Sequence, residues 1–211
     1  MSHMDKVRAR LADPATDAAA RKRGGQITHR LKLASINKYA LALQYEPDPK
    51  RKTLWLRKIT DTLAKATEGI VPCKVGCSAC CNMATLMSVE EAEEITRRTG
   101  IPHSMPSPMT LTRKDVDIER EQYTGVPCTF LKAGKCSIYE YRPHSCRVHY
   151  VLDKDALLCT MVPGELIEAP MFDNTQFNML WVLSHPVKHP YDMRLADIRE
   201  FFPEGANAIN R

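Results

Sequence analysis

Cys73-Lys74-Val75-Gly76-Cys77-Ser78-Ala79-Cys80-Cys81 places four thiols within nine residues. Outward from it lie Cys128, Cys136, Cys146 and Cys159, so all eight cysteines of the 211-residue chain fall between positions 73 and 159. Thiols that only fill a core scatter with the other apolar residues. Thiols gathered at chelating intervals point to a soft metal, because thiolates select zinc, copper(I) and iron–sulfur clusters. The first group reads C-x3-C-x2-C-C. Its C-x2-C turn lets two sulfurs face one ion, and Gly76, Ser78 and Ala79 are small enough for the backbone to wrap closely. Neighbouring side chains are expected to diverge. Cys80 and Cys81 are therefore not both expected as simple terminal ligands of one ion; one would serve a second ion, bridge two ions or stay free.

The second group is carried by a short hairpin signal. Thr129-Phe130-Leu131 and Cys136-Ser137-Ile138-Tyr139 flank Lys132-Ala133-Gly134-Lys135, with glycine in the turn. This brings Cys128 and Cys136 toward each other. Cys146 follows in Arg142-Pro143-His144-Ser145-Cys146-Arg147, and Cys159 is the weakest ligand on spacing alone. Eight thiols suffice for two four-cysteine sites, or for one polynuclear cluster with thiols to spare. Arg142, Arg147, Lys74 and Lys135 are placed to offset the negative charge of such sites. His144 and His149 flank Cys146 and could ligate or stand behind the ligands, although a lone histidine is more often a surface or satisfied core residue. A disulfide framework would use the same even count but needs an oxidising compartment.

The rest of the chain has a soluble composition, 44% apolar and 26% charged. No apolar run approaches the roughly 20 residues that cross a bilayer, so no membrane span is expected. Residues 1–23 lack the apolar segment of an export signal, which points to the cytoplasm, where clustered thiols stay reduced. Residues 1–68 carry a charge balance of +8 and the remainder −3. The basic end could face nucleic acid or an acidic protein, while the plainer reading is a solvated helical face. Residues 1–23 read as disordered or weakly helical, with Gly24-Gly25 breaking any helix. A helix from Gln26 to Tyr45 with Ile27, Leu31, Ala34, Leu41 and Tyr45 on one face, and another from Lys52 to Thr67, would make a hairpin. Ser88-Val89-Glu90-Glu91 reads as a capping box opening a helix that Gly100 closes. Helices are also expected over Thr112–Tyr123, Thr175–Ser184 and Met193–Phe202. The fold class is thus mainly α with a small β-hairpin, an irregular metal-organised cysteine domain with flanking helices. Its expected divisions are a basic helical extension at 1–69, the cysteine domain at 70–165 and a helical segment at 166–211.

The ordered blocks Cys73-x3-Cys77-x2-Cys80-Cys81, Pro127-Cys128-Thr129-Phe130-Leu131, Gly134-Lys135-Cys136-Ser137-Ile138-Tyr139 and Arg142-Pro143-x2-Cys146-Arg147 resemble the YkgJ-type cysteine-cluster family, described as zinc- or iron-chelating. Cys159 stands where members carry a further cysteine. The resemblance covers Cys73 to Cys159 and implies metal binding with iron, as an iron–sulfur cluster, or zinc. A related cysteine motif occurs in flagellin lysine methylases, and no activity is transferred from it. The leading expectation is a metal-binding module, structural, redox or accessory, with a protein partner. Its rivals are a metalloenzyme or enzyme accessory, in electron transfer or a modification such as lysine methylation, and a nucleic-acid-binding protein using residues 1–68. No catalytic residue stands out, since nucleotide-loop, nucleophile-elbow and H-E-x-x-H patterns are all missing.

Overall fold

The structure is a computed structural model that describes residues 1–106, 122–159, 167–186 and 193–205. In chain order the elements are α1 (His3–Ala12), α2 (Pro14–Leu33), α3 (Ile36–Tyr45), α4 (Pro49–Thr67), β1 (Leu86–Ser88), α5 (Val89–Thr99), β2 (Leu131–Lys132), β3 (Lys135–Cys136), α6 (His144–Arg147), α7 (Thr175–Ser184), β4 (Leu195–Asp197) and α8 (Ile198–Phe201). The protein is mainly α with a small β-hairpin. A second two-stranded antiparallel ladder joins β1 to β4, with Met87 opposite Ala196. Among the described residues no helix is long and apolar enough to cross a membrane. The chain divides into two compact units, Met1–Lys74 with Arg147–Ser184, and Val75–Cys146 with His185–Arg211.

The first unit is helical, and its N-terminus corrects the sequence reading. Residues 1–23 are neither disordered nor weakly ordered. Ser2 and Asp5 form a capping box that starts α1. Asp13 caps α2, accepting from the Ala15 amide at 2.9 Å, with Pro14 in the first turn. Helix α2 then runs through Gly24 and Gly25. Two interior glycines cost about 2 kcal/mol relative to alanines. Burying Ile27 and Leu31, both under 10% exposed, returns about 1.5–3 kcal/mol each, so tertiary packing outweighs the local weakness. The expected 26–45 helix is in fact broken: Ser35 takes a left-handed φ of 52°, and α3 restarts after it. The reason is visible in the buried stripe. Leu41 and Tyr45 of the expected face are 54% and 77% exposed, and Leu43 is the residue that α3 buries. Helix α4 buries Ile59, Leu63 and Ala66 as its spacing predicts, and α3 packs along it to form the hairpin. Arg10 of α1 reaches Asp153 at 2.8 Å and Asp155 at 3.3 Å, fastening the N-terminus to the loop before Cys159.

The second unit holds a small core of Met87, Ile95, Phe130, Ile198, Phe201 and Phe202, among others. Phe130 meets Phe202 edge-on, with centroids 5.1 Å apart. The Ser88/Glu91 capping box opens α5 in both directions, and Gly100 ends it at φ 74°. The hairpin is shorter than its sequence suggests. Only Leu131–Lys132 and Lys135–Cys136 pair, across a two-residue turn in which Ala133 and Gly134 both have positive φ, the conformation such tight turns require. The helix expected over Met193–Phe202 is instead a strand followed by one helical turn. Pairing with β1 claims Leu195–Asp197 first, and the Asp197 side chain then caps α8. The helix expected over Thr112–Tyr123 lies outside the described residues except at Gln122 and Tyr123.

Candidate metal centre

Three separated stretches of the second unit deliver thiols to one place. Cys80 and Cys81 stand on a 3-10 turn, Ala79–Asn82, closed by the Cys81 amide donating to Ser78 O at 3.0 Å. The Cys128 amide donates to Cys81 O at 2.7 Å, which stitches the second stretch to the first. Cys136 ends β3, opposite Leu131. Cys146 sits on α6, whose start is pinned from outside: Glu91 accepts from the His144 amide at 2.6 Å, and the Ser145 hydroxyl donates to Leu86 O at 2.6 Å. The same Glu91 side chain completes the capping box of α5.

Cys77, Cys80, Cys81, Cys128, Cys136 and Cys146 line a single cavity of about 30 Å³, with Arg142 at its wall. That space suits an ion rather than an organic ligand, whose pockets run from about 300 Å³ upward. Cys80 and Cys81 do not diverge as expected. The tight turn brings both thiols to the cavity, and the Cys81 thiol donates to the Cys80 sulfur. Among the described residues no cysteine is disulfide-bonded. As the side chains stand, no three Cys, His, Asp or Glu groups among the described residues are arranged to hold one metal ion.

The electrostatics sort the thiols. The hydrogen bond from Cys81 holds Cys80 down to about 7 against the opposing effect of burial, and the Arg142 charge adds to the lowering. The same hydrogen bond, together with burial, pushes Cys81 up. Burial raises Cys128, Cys136 and Cys146, the last strongly. Without a cation the cavity thus holds mostly neutral thiols beside one readily ionised sulfur. An arriving soft cation must displace protons, which couples its binding to pH. Arg142 supplies the fixed positive charge, its guanidinium lying 3.8 Å from the Tyr139 ring centroid. The residues present therefore fit a thiolate-bound metal by donor type, number and charge.

Other expected participants lie elsewhere. Cys73 and Cys159 belong to the first unit, outside this lining. Arg147 pairs with Asp61 at 3.0 Å within that unit. Neither His144 nor His149 lines the cavity; burial lowers His149. Two residues that the motif does not signal matter instead. Asp197 is fully buried and Arg199 is 7% exposed, paired at 2.7 Å. Arg199 donates to main-chain oxygens at and after Cys81 and just before Cys128. The one sequence signal was the set of three charged residues, Asp197, Arg199 and Glu200, inside the otherwise apolar run Leu195-Ala196-Asp197-Ile198-Arg199-Glu200-Phe201-Phe202.

Residues 72–162 match the model of the CxxCxxCC family, described as "Putative zinc- or iron-chelating domain". The match supports metal binding through the cysteines, with zinc or iron as the metal. The family's name writes two residues between its first cysteines, where this chain has Lys74-Val75-Gly76. No curated protein and no solved structure matches the chain.

Proposed function

We propose, from the membership of residues 72–162 in the CxxCxxCC cysteine-cluster family, that the protein is a metal-binding module whose centre is held by Cys77, Cys80, Cys81, Cys128, Cys136 and Cys146. The observation that carries this reading is the meeting of six thiols, from three stretches of chain, at one small cavity. One tetrahedral ion takes four sulfurs. A set of six favours a centre with more than one metal atom, iron with sulfide or paired zinc. A thiolate-held iron centre supplies one-electron transfer, and zinc supplies rigidity. The chain's own part is the same for both: it gathers the sulfurs, shields them, and sets Arg142 beside them to balance charge. Cys73 and Cys159 stand outside the proposed centre.

Anaerobic purification with elemental analysis and an absorption spectrum tests this. Stoichiometric iron with visible charge-transfer bands, or stoichiometric zinc without colour, is the expected result. Cys136→Ser and Cys146→Ser should each lose more than half of the metal, whereas Cys159→Ser should keep it. A metal-free preparation that is fully folded and takes up neither ion removes the reading.

A further inference from the structure

The geometry points to Arg199 as the positioning residue of the cysteine site, a guanidinium clamp that fixes the Cys81 loop against the Cys128 loop. The inference deepens, and as far as metal is concerned rests on, the reading of the six thiols as a metal centre. Arg199 lies outside the family-matched stretch of 72–162, so nothing in the cysteine motif assigns it a role.

Its donors fan over main-chain oxygens from two separate loops. Nη2 donates to Val126 O at 2.5 Å and to Met83 O at 3.2 Å, with Cys81 O at 3.5 Å as its longest contact. Nε donates to Pro127 O at 3.3 Å. Nη1 donates to Asp197 Oδ1 at 2.7 Å. One planar group thus touches the residues at and just after Cys81 and those just before Cys128. These two loops are also joined directly by the Cys128 amide on Cys81 O at 2.7 Å.

The arrangement is built rather than incidental. A buried cation is costly unless paired and hydrogen-bonded. Here Asp197 is 0% exposed and is itself fixed, accepting from the Thr85 amide at 2.6 Å and the Arg199 amide at 2.9 Å. The anchorage runs from the β1–β4 ladder through Asp197 to the guanidinium, and from there to both cysteine loops. Irregular backbone has few partners of its own, and buried carbonyls need donors. Arginine alone offers five N–H groups in a rigid plane. Lysine keeps the charge but has a single nitrogen, which cannot reach four carbonyls and a carboxylate at once. Cys136 and Cys146 are supported by the hairpin and by Glu91, and the clamp reinforces the two backbone bonds, Cys128 N to Cys81 O and Gly125 N to Asn82 O, that join its own pair of loops.

The test compares wild type with Arg199→Lys by two readouts. Metal-free, the Cys128 amide should exchange with solvent at least about 10-fold faster in the variant, because its hydrogen bond to Cys81 O is no longer held. Metal-loaded, zinc affinity measured against a competing chelator should fall by about 10–100-fold, the usual consequence of losing a supporting contact behind a ligand. Near-UV circular dichroism establishes that the variant remains folded. An Arg199→Lys protein matching wild type within about two-fold in both readouts overturns the proposal. If wild type binds neither zinc nor iron but the exchange rate still rises, the metal reading fails and the clamp stands. If the variant does not fold, wild type alone decides. Its Cys128 amide should be as protected as the Ser137 amide of the hairpin, and exchange about 100-fold faster than Ser137 would exclude a clamp.

Discussion

Cys80 is the residue whose chemistry depends most on a single neighbour. In the metal-free protein its alkylation should rise through a midpoint near pH 7, since the Cys81 hydrogen bond holds it at about 7. Cys81→Ala should move that midpoint upward into the ordinary thiol range, as position-resolved mass spectrometry of a pH series would show. A second titration lies in the other unit. Burial lowers His149 from its usual 6.5. Above the unfolded value both states carry a neutral ring and nothing is gained. As pH falls from about 6.5 toward the folded value, the unfolded chain takes up a proton that the folded chain refuses, and stability is lost across that window. His149→Gln should flatten this slope in urea titrations run at intervals between pH 7 and 5. Spacing marked all eight cysteines as candidate ligands, because ligand type and interval are local properties, but it did not separate the six that line the cavity from Cys73 and Cys159. Arg199 was illegible for a physical reason. Its partners are mainly carbonyl oxygens 72 to 118 residues away, and a carbonyl is the same in every residue.

At the scale of elements, features that one turn of chain can satisfy were readable. The Ser88/Glu91 box, the Gly100 stop and the Thr175–Ser184 helix are all present as their sequences imply. Elements decided by distant packing were not. Helix α2 crosses Gly24-Gly25 because its buried stripe outweighs two weak positions, and β4 is a strand because β1 is there to pair with it. The glycine reading yields a sharp expectation. A Cβ at Gly25 meets nothing within 4 Å, and its φ is not positive. Gly25→Ala should therefore stabilise the protein by about 0.5–1 kcal/mol, raising Tm by about 1–4 °C in calorimetry for a chain of this size. A lower Tm would mean that this stretch of α2 needs glycine for a reason other than space.

Seen whole, the two units are interleaved along the sequence, each assembled from an earlier and a later segment. No composition shift announces such a division, since it is fixed by which late segment packs on which early one. The family-matched residues 72–162 lack β4, Phe201 and Phe202. Excised, that stretch has no partner for β1 and loses three of the large buried side chains of its core, Ile198, Phe201 and Phe202. Each returns about 1.5–3 kcal/mol on burial, against a total stability of about 5–15 kcal/mol for a domain. The isolated segment should give an unfolded amide spectrum by NMR, and a dispersed one would show that the cysteine loops organise themselves. The order of synthesis adds a consequence. Arg199, directly after β4, is translated 53 residues after Cys146, which at about 5–20 residues per second is a lag of about 3–10 s. Throughout that interval the nascent sulfurs have no closing wall, and whatever oxidant or ion the ribosome's surroundings offer reaches them before their own polypeptide does.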